Sequence, residues 1–191
     1  MPLKRFTPRR WRRFRSAVLW SVAGIVSFTF YLMFLDYKEQ QIEGYYSHLK
    51  TEKPNIYLSE ITKIKGFSVY VKEFERMNGY DKPQNNAPPF LVGRWQLFQK
   101  EKLVNEQYFP DACIAGLQIE DGRIKTFGLN PAVPIQGVHP ARYRMDGMNV
   151  DILVANGLDV RVKIVSYGSH LHHLKVTLPG AETPSYGYLC K

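Results

Sequence analysis

Three histidines crowd into Ser169-His170-Leu171-His172-His173, the densest set of metal-ligating and proton-exchanging groups in the chain. On a strand, alternation places His170 and His172 on one face with Leu174, Val176 and Leu178. With those leucines inward, both imidazoles sit near one mouth of whatever the strand encloses. Zinc takes three or four ligands, and His139, on a loop after Gly137, is the one other obvious donor. No metal site is therefore expected; turn-proximal, partly solvated imidazoles that answer to mild acid are. Two cysteines, Cys113 and Cys190, form the other reactive pair. As a nucleophile Cys113 needs a nearby base; in an oxidising compartment a Cys113–Cys190 disulfide is the simpler expectation. Closing a loop of that length stabilises a fold by roughly 4 kcal/mol through chain entropy. The alternative is two unpaired thiols buried as small apolar groups.

No Gly-x-Ser-x-Gly, His-Glu-x-x-His, P-loop or dinucleotide fingerprint occurs. Asp111, Glu120, Asp121, Asp151 and Asp159 fall in or beside predicted hairpins, where solvated turn positions account for them. Neither an enzyme nor a cofactor is expected. Aromatic residues are denser: Trp95, Phe98, Tyr108, Phe109, Phe127, Tyr143, Tyr167, Tyr186 and Tyr188 all lie on or beside predicted strands. Alternation assigns Trp95 with Leu97, and Leu117 with Ile119, to an interior. That interior is either a filled core or a cavity for an apolar or amphipathic ligand. In the second case Trp95, Leu117, Tyr143, His170 and His172 are the candidate ligand-binding residues.

The elements that position these residues are mainly β. Asp121-Gly122, Asp146-Gly147 and Asn156-Gly157 separate alternating runs, and such dipeptides favour two-residue type I′ hairpins. Centred there, the hairpins pair Glu120 with Arg123, Ile119 with Ile124, Met145 with Met148, Arg142 with Asp151, Ala155 with Leu158 and Leu153 with Val160. Adding 91–99, 160–167, 170–178 and 185–190 gives about eight consecutive antiparallel strands. An up-and-down meander hides its edges best by closing into a barrel, with a β-sandwich as the other closure. Residues 36–89 are expected to hold a short juxtamembrane helix (36–52) and then extended segments at 56–61 and 67–74. The latter have no assigned partner, which leaves open a barrel completed by another protein's strand. The proline-rich loop from Gly128 to Pro140 suits a lid or a partner-binding surface.

The net charge of +9 is not spread evenly. Residues 1–16 carry Lys4, Arg5, Arg9, Arg10, Arg12, Arg13 and Arg15 without an acid, leaving 19 basic against 17 acidic residues downstream. Residues 17–35 are then free of formal charge and span roughly 28 Å as a helix, close to the thickness of a bilayer core. Basic charge ahead of a spanning helix marks the cytoplasmic side, so the arm is read as a membrane signal and not as a nucleic-acid footprint. A cleavable signal peptide has a shorter core and a small-residue cleavage site, which this segment lacks; the spacing after Arg12-Arg13 does not suit a twin-arginine signal either. Ala17, Ser21, Ala23, Gly24 and Ser27 supply small-xxx-small spacings suited to helix packing in the membrane. None of the eight asparagines is in an N-x-[ST] sequon, which favours a bacterial periplasm for residues 36–191.

The first strand of the meander reads Phe90-Leu-Val-Gly-Arg-Trp-Gln-Leu-Phe98, and its Gly93-Arg94-Trp95 resembles the Gly-x-Trp of lipocalin-like (calycin) barrels. The resemblance covers residues 90–191. It implies an eight-stranded barrel with Trp95 plugging the closed end. The family's late arginine has no counterpart in Ser185–Lys191, which offers aromatics and a lysine. The layout of basic tail, one helix and small outer barrel is also similar to the membrane-bound companion proteins of one-pass transcription regulators. That similarity implies an outer domain that pairs with another envelope protein and helps sense apolar ligands such as bile salts. The expected function is a periplasmic accessory protein, anchored in a bacterial inner membrane, that binds an envelope partner with an apolar small molecule as a further ligand class. A stand-alone lipid-binding or bile-binding barrel and an envelope immunity protein are the alternatives.

Overall fold

The computed structural model describes residues 8–102, 106 and 108–191, with side chains described from Val18 onward. Contacts divide the chain into two compact units, one ending at Pro54 and the other running from Asn55 to Lys191. Among the described residues the first unit holds a single helix, α1 (Pro8–Glu52). Its stretch from Val18 is long and apolar enough to cross a membrane, and residues 18–35 are exposed throughout. The helix runs through Gly44 into the polar residues 36–52 without a break, as their composition of helix formers favours. Lys4 and Arg5 of the basic arm lie outside the described residues, as does the side chain of Ala17. Ser21, Ala23, Gly24 and Ser27 are exposed along α1.

The second unit opens with α2 (Pro54–Lys65) and α3 (Phe67–Asn78), where extended segments were expected. Phe67-Ser-Val-Tyr-Val does alternate, but Phe67, Tyr70, Val71 and Phe74 also follow the i, i+3, i+4, i+7 spacing of a helix face. The helix prevails because that stripe buries Phe67, Val71 and Phe74 together, joined by ring contacts to Phe90 and Tyr80. Pro54 sits at the first helical position, where its missing N–H costs nothing. Gly79 ends α3 in the left-handed conformation (φ 69°) and donates its N–H to the Glu75 carbonyl.

Eight antiparallel strands follow: β1 (Gly93–Phe98), β2 (Gly116–Glu120), β3 (Arg123–Phe127), β4 (Val138–Asp146), β5 (Asn149–Val154), β6 (Val160–Tyr167), β7 (His170–Thr177) and β8 (Ser185–Leu189). Each pairs with its neighbour and β8 pairs with β1, so the barrel closes within one chain. The β2–β3 hairpin has the expected register, Glu120 facing Arg123 and Ile119 facing Ile124. Elsewhere the turns shift. At the second, Asp146 faces Asn149 and Met145 faces Val150, so Arg144 and not Arg142 opposes Asp151, with a 2.6 Å ion pair. At the third, Ile152 and not Leu153 faces Val160, because a single 3₁₀ turn at Ala155–Gly157 lengthens the loop. Positive φ at both turn residues occurs at Asn156-Gly157 (62° and 71°), whereas the first two turns use it at glycine alone.

The β3–β4 seam is short: only Arg123–Lys125 pair with Val138–Pro140. The chain fills the rest of it with its own residues. Gln84 and Tyr143 exchange backbone hydrogen bonds (2.9 and 2.8 Å), Met145 N–H donates to Tyr80 O (2.7 Å), and Gly122 N–H donates to Asn85 O (2.6 Å). The stretch 80–85 is thus a seam-filling strap. At the same end of the barrel, α3 meets the hairpin turns: Gly147 N–H donates to Glu75 Oε2 (2.7 Å) and Phe67 N–H to Gly168 O (2.8 Å). At the other end the 128–137 loop buries Ile135 completely, its carbonyl accepting from Thr126 Oγ1 (3.1 Å). Between them lie Leu117, Ile119, Ile124, Val150, Ile152, Val160 and Leu174, all without solvent exposure.

Candidate functional site

Trp95, Leu117 and Tyr143 are all buried in the interior. Trp95 faces Leu117 across β1–β2 and donates its indole N–H to Leu91 O (2.8 Å). The Tyr143 hydroxyl is shared between the carbonyl oxygens of Glu120 (2.5 Å) and Arg123 (2.8 Å), closing the β2–β3 turn over β4. Burial, with Asp121 nearby, pushes its phenol well above the usual tyrosine range. These polar atoms are spoken for by the backbone.

The histidines do not follow simple alternation. Val165 faces His173 but Ser166 faces Leu171, so His172 is an extra residue in β7, a β-bulge. The bulge sets His172 beside His173 at 5.0 Å between ring centroids, instead of on the inward face with Leu174 and Val176. His170 stays exposed at the turn. His172 meets Tyr167 edge-on at 4.6 Å, and His173 stacks on Tyr188 at 5.3 Å.

What covers His173 is the connection between β1 and β2, held by the Cys113–Cys190 disulfide (S–S 2.00 Å) to the end of β8. Lys102 N–H donates to the Tyr188 hydroxyl (2.8 Å), and Lys102 Nζ sits over the Phe98 and Tyr108 rings at 4.3 and 4.5 Å. Gln96 Oε1 accepts from the N–H groups of Ile114 (2.6 Å) and Ala115 (3.0 Å). Glu101 Oε1 lies 2.9 Å from His173 Nε2, within ion-pair distance. His172 Nδ1 and His173 Nδ1 are buried without a hydrogen-bond partner. Burial therefore lowers the pKa of both histidines, opposed in each by the Glu101 carboxylate.

His173, Glu101 and Tyr188 were not among the expected site residues. Tyr186 and Tyr188 alternate on one strand face, a signal for an outer aromatic patch, and alternation from Leu174 also turns His173 outward, but the bulge that sets His172 beside it leaves no mark in the sequence. His139 stands apart, its Nε2 2.7 Å from Gln136 O. Among the described residues no group of three or more His, Cys, Asp and Glu is arranged to hold a metal. The turn carboxylates are engaged locally: Asp121 accepts from Ala87 N–H and Asp159 from Val154 N–H (2.8 Å each), Asp111 pairs with Lys191 (3.2 Å), and Arg123 beside Glu120 holds that carboxyl below the usual range.

Open grooves mark the barrel surface among the described residues. One, of about 590 Å³, runs by Asn85, Pro140, Arg142 and Leu153; another, of about 490 Å³, crosses the outer face of β5–β7. No protein-family model, no curated protein and no solved structure matches the chain.

Proposed function

We propose that this protein is a single-pass accessory protein of a bacterial inner membrane whose lipocalin-like periplasmic barrel binds another envelope protein through its outer surface. The observation that carries the reading is the occupancy of the barrel. Trp95, Leu117, Tyr143, Ile152 and Leu174 fill it, while α3 and Ile135 cover its two ends. A filled barrel leaves its outer face for recognition, and the helix from Val18, long and apolar enough to cross a membrane, supports an anchored protein. The disulfide supports an oxidising compartment, and the basic residues ahead of the helix support a cytoplasmic N-terminus.

Gentle affinity purification of the full-length protein from its native membrane, with mass spectrometry of proteins and small molecules, tests the reading. A stoichiometric companion protein is the expected result. Recovery of an apolar small molecule and no companion would replace it with a stand-alone ligand-binding barrel.

A further inference from the structure

Downstream of the basic arm the chain is close to charge-balanced, yet the outer face of β4–β7 is not. Arg142, Arg144, Arg161, Lys163 and Lys175 all belong to it, against Asp146 and Asp151. Asp151 is already committed: Arg144 holds it at 2.6 Å, and Arg161 stands 3.9 Å from its other oxygen. One carboxylate serves two guanidiniums.

The next row is more telling. Lys163 faces Lys175 directly across β6–β7. Like charges opposite one another in a sheet are destabilising, and among the described residues neither ammonium is ion-paired with a carboxylate; Lys175 Nζ rests 5.6 Å above the Tyr186 ring. Asp146, the acid on that row, is two strands from Lys163. Both lysines line the 490 Å³ groove, together with Arg161, Thr177, Pro184 and the carboxylates Asp146 and Asp151, so three cations stand there against two acids, one of which is already shared by Arg144 and Arg161. The fold bears an unfavourable pair here that a ligand of opposite charge would relieve.

From this charge pattern we infer that the β5–β7 groove is the docking surface for an acidic protein segment, with Lys163, Lys175 and Arg161 receiving its carboxylates. The inference rests on the accessory-protein reading and names the chemistry of the partner. Thr177 and Asn149 supply neutral polar groups to the groove, and the Lys163–Lys175 pair with Arg161 two residues along β6 on the same face offers three cations to an extended acidic chain.

The test uses the full-length protein in phosphatidylcholine nanodiscs, titrated with a fluorescent hexaglutamate peptide. Binding is expected at low ionic strength and should weaken steeply between roughly 50 and 300 mM salt. K163Q/K175Q should lower the affinity about tenfold or more, while K100Q/K125Q, which removes equal charge elsewhere, should not; neither variant should melt below the wild type, and K163Q/K175Q, which removes the like-charged pair, should melt at or above it. No binding at low salt, or equal loss in the two variants, would overturn the inference. So would tighter, Lys163/Lys175-dependent binding of phosphatidylglycerol vesicles or of a single-stranded oligonucleotide. Repeating the membrane purification with K163Q/K175Q separates the two levels. A companion retained by the variant refutes this surface and leaves the accessory reading intact; no companion with either protein refutes the accessory reading, whatever the peptide does.

Discussion

His172 and His173 are held where protonation is unwelcome, with two buried ring nitrogens, His172 Nδ1 and His173 Nδ1, unpartnered and Glu101 the nearest acid. Their folded-state pKa values lie below the ordinary 6.5, so below that pH the unfolded chain binds more protons than the folded one. Their contribution to stability is full above about pH 7 and is lost as pH falls through the lowered values. Facing them are Tyr167, His170, Lys175, Tyr186, Tyr188, Lys102 and Glu101, of which Glu101 alone opposes the shift. The melting temperature should drop between pH 7 and 5, and His173→Phe should flatten that profile; an unchanged profile would contradict the assignment. Tyr143 tests the interior. Tyr143→Phe removes the one donor shared by the Glu120 and Arg123 carbonyls and should cost about 1–3 kcal/mol in urea unfolding. Much at this scale was legible: alternation put Trp95 and Leu117 inside, and the cysteine pair implied its disulfide. The partnership of His173 with Glu101 was not, because it depends on a connection whose path no local pattern dictates, nor was the place of His172 beside His173, which depends on one extra residue in β7.

Strands and helices were unequally readable. Strand order followed from hairpins at short intervals, since each turn fixes its neighbours. Register did not follow as well, because a turn dipeptide says where the chain reverses but not which residues close it: Gly147-Met148 occupies the loop where Asp146-Gly147 was expected. α3 was misread because Phe67-Ser-Val-Tyr-Val satisfies two periods at once, and tertiary burial decides between them. The packing makes a checkable claim. Phe74 is buried among Tyr70, Tyr80 and Phe90 beside the strap that fills the β3–β4 seam. Phe74→Ala should therefore cost about 3–5 kcal/mol and lower the melting of the whole barrel. A barrel transition indifferent to this substitution would make α3 an independent appendage.

At the scale of the molecule, a long apolar helix and a barrel closed by its own chain form two units. Residues 55–191 should fold without the helix. Trp95 is the one tryptophan in that fragment and is about 1% exposed, so its emission should be blue-shifted and should move red in a single cooperative transition. The full-length chain should remain in the membrane fraction after alkaline carbonate, whereas the fragment should not. The central claim is that the filled barrel works through its outer surface on a partner protein. Site-specific photo-crosslinking in native membranes tests it most directly, with the crosslinker placed in turn at exposed barrel positions of the full-length protein. The account predicts a discrete protein adduct, of one mass, from a contiguous set of those positions. No protein adduct from any exposed position, in cells where the protein is folded and anchored, would contradict it.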